Sequence, residues 1–185
     1  MHIPLTMKIN IAHIVIALAL ASCNRPDPKA APVNTPQADA TVTGIILSTP
    51  PAGAIDVHSA IGHAMPGDRI TLKGKLLGAE KIFVENRAAF VIGDPGMLTV
   101  CSDKPGDTCT TPWDACCDAS EIKAAAMATI QIVDNTGAVL RGNLKGVGGL
   151  KELSTVVVTG KVAPGSGKNA LVVNATGIFV EPVAK

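Results

Sequence analysis

The sequence predicts an all-β domain, a small barrel carrying a cysteine-rich insert pinned by disulfides. Three observations predict it. Short alternating or β-branched runs recur between turn signals from Val42 to Val180. Residues 101–117 (CSDKPGDTCTTPWDACC) hold four of the five cysteines and the single tryptophan. That ribbon is too rich in Pro, Gly, Asp and Thr for a strand or a helix, and so reads as a loop. A loop of this length in a compact domain is uncommon unless it is functional or pinned.

The start of the chain predicts its address. Met7 to Asn10 is short and weakly positive, and Ile11 to Leu20 is an apolar run broken only by His13. Such a run is too short for the roughly 20 residues of a membrane span, but it fits the core of a secretory signal. It ends in Leu20, Ala21, Ser22 and Cys23. This resembles the bacterial lipobox. The resemblance implies a signal peptide over 1–22, cleavage after Ser22 and a diacylglyceryl thioether on Cys23. Two or more acyl chains anchor a protein stably to a membrane. Asn24 rather than Asp after the lipidated cysteine implies, by the sorting pattern of such lipoproteins, the outer membrane facing the periplasm. Residues 24–40 carry four prolines and no apolar period. They read as a tether, 23–40 with the lipidated cysteine, ahead of one folded domain over 41–185.

Composition bears on partners. Loss of the leader removes Lys8 and leaves fifteen of the 16 Lys and Arg against 15 Asp and Glu. A neutral chain without a basic run lacks the attraction that drives non-specific binding to phosphates. Three Phe, one Trp and no Tyr are few platforms for stacking bases. Nucleic acid is therefore not an expected partner.

Within the domain, Val42 to Leu47 reads as a short strand. Residues 54–64 (AIDVHSAIGHA) place Val57, Ile61 and Ala64 at helical spacing. Arg69 to Leu76 alternates as a half-buried strand, with Gly74 marking a bulge or a tight bend. Ile82–Val84 and Ala88–Ile92 read as further strands. Asp118 and Glu121 stand at capping-box spacing ahead of an Ala-rich helix. Thr129–Val133, a turn at 134–137 and Ala138–Arg141 read as a hairpin. Thr155–Val162 and Leu171–Val180 are the last strands.

The order of these pieces, from Pro66-Gly67-Asp68 and the strand with its mid-strand Gly74 to the final pair, resembles the OB-fold, a five-stranded Greek-key barrel. The chain is also similar to secreted bacterial lipoproteins of unknown function with a Cys…Cys-x-x-Pro-Trp-Asp-x-Cys-Cys ribbon inside such a barrel. Here that ribbon is Cys109 to Cys117. The resemblance implies an OB-fold-like barrel and brings no activity with it. A long insert between the second and third strands departs from the ordinary OB pattern.

The candidate chemistry is concentrated in the ribbon. In an exported chain, an even number of thiols points to disulfides. With Cys23 acylated, four remain, and adjacent Cys116 and Cys117 join each other only with strain. The pairings are Cys101–Cys116 with Cys109–Cys117, or Cys101–Cys117 with Cys109–Cys116. The rival reading is a thiolate metal site, although gaps of seven, six and zero residues depart from the usual C-x2-4-C spacing. His58, His63 and Met65 form a second candidate metal set, suited to copper. Asp103, Asp107, Asp114 and Asp118 lack calcium-loop spacing and suit turns. Residues 165–168 (GSGK) do not complete a phosphate loop, because Val162 and Asn169 stand at its ends. No Ser-His-Asp or Cys-His set is visible, so no enzyme activity and no cofactor are expected.

The expected function is a non-catalytic binding or interaction module of the cell envelope. Its partners are the membrane, through the lipid, and an envelope protein or small ligand. The alternatives are a periplasmic metal-binding protein and an oligonucleotide-binding OB-fold. Trp113 and Asp114 are the residues expected to touch a ligand, since an insert between the second and third strands walls the usual OB binding face.

Overall fold

Backbone hydrogen bonding closes five strands into a barrel in a computed structural model that describes residues 42–167 and 170–183. The expected leader over 1–22, Cys23 and the tether to residue 40 lie outside the described residues. The strands are β1 (Ile55–Asp56), β2 (Arg69–Lys75), β3 (Ala89–Gly93), β4 (Met127–Gln131), β5 (Thr155–Val162) and β6 (Leu171–Val180). The barrel runs β2-β3-β4-β6-β5 and returns to β2, with the two-residue β1 alongside β2. All barrel pairings are antiparallel except β4 with β6. This is the Greek-key order of an OB-like barrel, as the sequence predicts.

Alternation explains the core. Along β5, Val156, Val158, Gly160 and Val162 face the interior while Thr159 and Lys161 turn outward, and Val157 between them is buried as well. On β3 and β4, Phe90 and Ile130 face each other across the ladder, fully buried. They join Leu72, Ile92, Val173 and Ile178 in the barrel interior. Burying one such side chain contributes roughly 1.5–3 kcal/mol. A second, smaller cluster of Leu77, Leu98, Val100, Ala115 and Ala126 lies beneath the insert. It gives the cysteine ribbon an apolar footing of its own.

Several expectations take a different form. Val42 to Leu47 forms no strand: residues 42–44 turn as a helix, and only Ile46 bridges to β6, at Ile178. β6 already pairs with β5 on one side and β4 on the other, and its free edge begins only after Asn174. Ile82–Val84 likewise contributes a single bridge, Phe83 to Phe90. Ala138–Arg141 returns only through Val139 to Val133. The turn before it is held by Asp134, whose carboxylate accepts from the Thr136 amide and hydroxyl and the Ala138 amide. The Thr136 hydroxyl above all, with these amides, holds the Asp134 carboxyl below its ordinary pKa.

The expected capping box is absent. The helix over Ser120–Ala126 (α2) follows Ala119 with no side-chain cap, because the Asp118 carboxylate instead accepts the Thr99 amide at 2.8 Å. The helical spacing at 57–64 yields a single turn, Val57–Ala60 (α1), with Val57 and Ala60 buried. Gly74 sits in regular register opposite Val156, with no bulge there. A Cβ there would stand 3.1 Å from Ile92 and Val57. The bulge lies in the β5–β6 pair, at Thr159 and Gly160.

Candidate functional site

The insert leaves the barrel at the end of β3 and returns through α2 into β4. Gly93 makes the departure, where a Cβ would stand 2.6 Å from Leu77 and 2.7 Å from Leu98. Asp94, buried at 7% exposure, stitches the exit to α1. Its carboxylate accepts the Gly96 amide at 2.9 Å and the His58 amide at 3.2 Å. A buried carboxylate is tolerated where hydrogen bonds replace its water.

The ribbon folds back on itself. The Cys101 amide donates to the Asp114 carbonyl and the Ser102 amide to the Pro112 carbonyl, both at 2.9 Å. Its returning arm is also tied to the loop after β2. The Gly78 amide donates to the Trp113 carbonyl at 2.8 Å, and the Trp113 indole Nε1 donates to the Glu80 carbonyl at 3.0 Å. Half-buried Trp113 packs against the barrel core. It thus clamps the 78–80 segment to the ribbon, satisfying its own polar atom as it does so.

Three of the four ribbon thiols converge. The sulfurs of Cys101, Cys109 and Cys116 all lie within 4.8 Å of one another. Cys101 and Cys116 approach most closely, at 3.5 Å, and Cys117 lies 3.8 Å from Cys116. The expected disulfides are therefore not formed here: all four cysteines are free, and a bond needs about 2.05 Å. Cys101–Cys116 is a pair common to one of the two expected connectivities.

The thiols differ in character. Burial, reinforced by hydrogen bonds with Cys116 and Cys109, pushes the Cys101 thiol up to about 12. The Thr111 hydroxyl, 3.2 Å away, lowers the Cys109 thiol. Cys116 is raised: the hydrogen bond from Cys101 opposes the shift, but Cys117 and burial outweigh it. Cys117 in turn raises the Lys104 ammonium through a hydrogen bond. Among the described residues, no other group of three or more His, Cys, Asp or Glu brings its ligand atoms so close together.

The second metal set is placed differently. His58 turns its ring Nδ1 to the Ala125 carbonyl at 3.0 Å, which ties α1 to α2. His63 and Met65 lie in the exposed turn before β2, where the Met65 amide donates to the Asp68 carboxylate.

A cleft of about 530 Å³ opens where the ribbon, the 78–80 segment and the outer face of β3 and β4 meet. Asp114 and Cys116 form the ribbon wall, and Glu80 the loop wall. Lys123 of α2 stands at one side, Val91 and Thr129 make the floor, and Leu171 closes the far end. Asp114, read from the sequence as a contact residue, lines this cleft, while Trp113 braces the wall from behind. Glu80, Lys123, Val91 and Thr129 were not visible as site residues. The available signal is the outward register of Val91 and Thr129, next to inward Phe90 and Ile130. Compared with protein-family models, curated proteins and solved structures, the chain shows no significant match.

Proposed function

We propose that the protein is a lipid-anchored envelope lipoprotein whose barrel is a non-catalytic binding module for a small ligand. The observation that carries this reading is the cleft. Its volume of about 530 Å³ falls within the roughly 300–1,000 Å³ usual for small-molecule sites. It also mixes apolar lining, Val91 and Leu171, with a few polar residues in its walls, Glu80, Asp114 and Lys123. That is how such sites combine burial with orientation. Trp113 and the two ribbon bonds hold the wall in place before a ligand arrives, which lowers the ordering cost of binding. Wall carboxylates and a balanced net charge suit a polar-tipped neutral or cationic molecule better than a phosphate chain.

The cleft reading is tested by native mass spectrometry of the full chain taken from its host's membranes. Wild type is expected to retain a small-molecule mass that Thr129→Trp, which fills the floor, loses. Equal retention by both chains would refute the site. Nucleic acid released by moderate salt would instead establish oligonucleotide binding.

The anchor has a separate test. Acyl labelling and partitioning into the detergent phase are both expected to disappear in Cys23→Ala. Unchanged partitioning and labelling would remove the lipoprotein reading and leave the cleft reading intact.

A further inference from the structure

We propose that Cys101, Cys109 and Cys116 form a binding site for a thiophilic d10 cation, copper(I) or zinc(II), on the cleft wall. The inference rests on the sulfur geometry and stands whether or not the cleft holds a ligand. With metal–sulfur bonds of about 2.3 Å, the edge of a tetrahedral or trigonal thiolate site is about 3.8–4.0 Å. The sulfurs of Cys101 and Cys116 lie 3.5 Å apart, and the three lie within 4.8 Å of one another. Those separations need shifts of only about an ångström to enclose an ion. A disulfide between the nearest pair needs its sulfurs, 3.5 Å apart, to close to about 2.05 Å, a larger movement than enclosing an ion requires.

The surroundings suit the assignment. Three thiolates select soft cations over hard ones. Each ring of support around the sulfurs is already made. Cys101 is buried and fixed through its amide to Asp114, and Cys109 has the Thr111 hydroxyl at 3.2 Å, a contact of the kind that orients a ligand. Cys116 is exposed and lines the cleft, which gives an ion a way in. Loading deprotonates the three thiols and releases three protons to solvent. Three donors complete a copper(I) site, whereas zinc(II) takes a fourth, from water, Cys117 or a cleft ligand. The long gaps between the cysteines hide the site from a search for paired-cysteine spacing, because the ribbon's hairpin and not its local sequence brings the sulfurs together.

The test uses the full chain in detergent. Elemental analysis of the protein as purified is expected to find one copper or zinc per chain. Alkylation in denaturant without reductant, after chelation, is expected to label the ribbon thiols. Apoprotein titrated anaerobically with copper(I), or with cobalt(II) in place of zinc, is expected to develop sulfur-to-metal charge-transfer bands saturating at one ion. Cys109→Ser and Cys116→Ser are each expected to weaken binding by more than the roughly 10–100-fold that outer-sphere changes cost. These two residues are not fully buried, so the variants remain informative if Cys101→Ser fails to fold. Cys117→Ser is expected to cost copper(I) no more than the roughly 10–100-fold of an outer-sphere change, and less than Cys109→Ser or Cys116→Ser. A loss in that variant confined to cobalt(II) would assign zinc with Cys117 as its fourth donor. Ribbon cysteines that resist alkylation until reduced, with a mass gain of about four hydrogens on reduction, would replace the metal site by two disulfides.

Discussion

Gly160→Val is expected to lower the urea midpoint far more than any surface change, by about 3 kcal/mol of stability or more. Gly160 lies on the inward face of β5, at the bulge where β5 crosses β6. A Cβ on it would fall on the Asn174 carbonyl oxygen, and would stand 2.9 Å from Val173 Cγ1 and 3.0 Å from the Ala175 Cα. Two of these three atoms are backbone, so no rotamer change relieves the overlap. The strands must part, and the β5–β6 ladder from Val156 to Val162 matches β2–β5 as the longest barrel pairing, with seven partner pairs each. Overpacking costs roughly 1–3 kcal/mol where side chains can give way, and the backbone contact puts this site at or above that limit. A domain stable by about 5–15 kcal/mol loses a large share of its margin. Gly165→Ala is the control, since nothing lies within 4 Å of a Cβ there. Equal midpoints for the two variants would mean that β5 and β6 do not cross as described.

Gly160 also shows why the fold was legible and its details were not. The strands β2, β5 and β6 announce themselves by alternation, and the order of the pieces was enough for the barrel. A glycine in a strand signals a bend or a bulge, but whether Gly74 or Gly160 carries the bulge depends on the partner strand. Val42–Leu47 has strand-forming residues, yet residues 42–44 turn as a helix that buries Val42 in the core, and only Ile46 reaches β6, at Ile178. Asp118 has the spacing of a cap, yet a nearer claim from the Thr99 amide wins. Each miss is a local preference overridden by a contact distant in sequence.

The candidate site divides in the same way. The ribbon was legible as a loop from composition, and Asp114, expected from the sequence as a contact residue, lines the cleft. Composition and an expected exported address favour disulfides, while the meeting of Cys101, Cys109 and Cys116 depends on the ribbon folding back on itself, which no motif encodes. The cleft draws Glu80, Asp114, Lys123 and Thr129 from four separate segments. It is therefore a product of topology: closing β3 and β4 into the barrel is what brings the ribbon, α2 and the 78–80 segment to one place.

Phe90→Ala is expected to cost about 3–5 kcal/mol, the range for emptying a buried aromatic site. Phe90 has no exposed surface, faces Ile130 across the β3–β4 ladder, and meets the Phe83 ring at 6.3 Å between centroids with the planes tilted by 44°. The substitution removes packing from both neighbours and leaves a void directly beneath the floor of the cleft. Barrel walls held on every side by hydrogen bonds collapse little, so the cavity contribution stays near its full size. Val91, the next residue, points the other way and lines the cleft. Val91→Ala is expected to change stability by less than about 1 kcal/mol while weakening retention of a cleft ligand. The pair thus separates fold from function within one strand. Urea denaturation and native mass spectrometry of the two variants read the two effects independently. A Phe90→Ala midpoint no lower than that of Val91→Ala would reverse the assignment of inner and outer faces on β3, and with it the placement of the cleft.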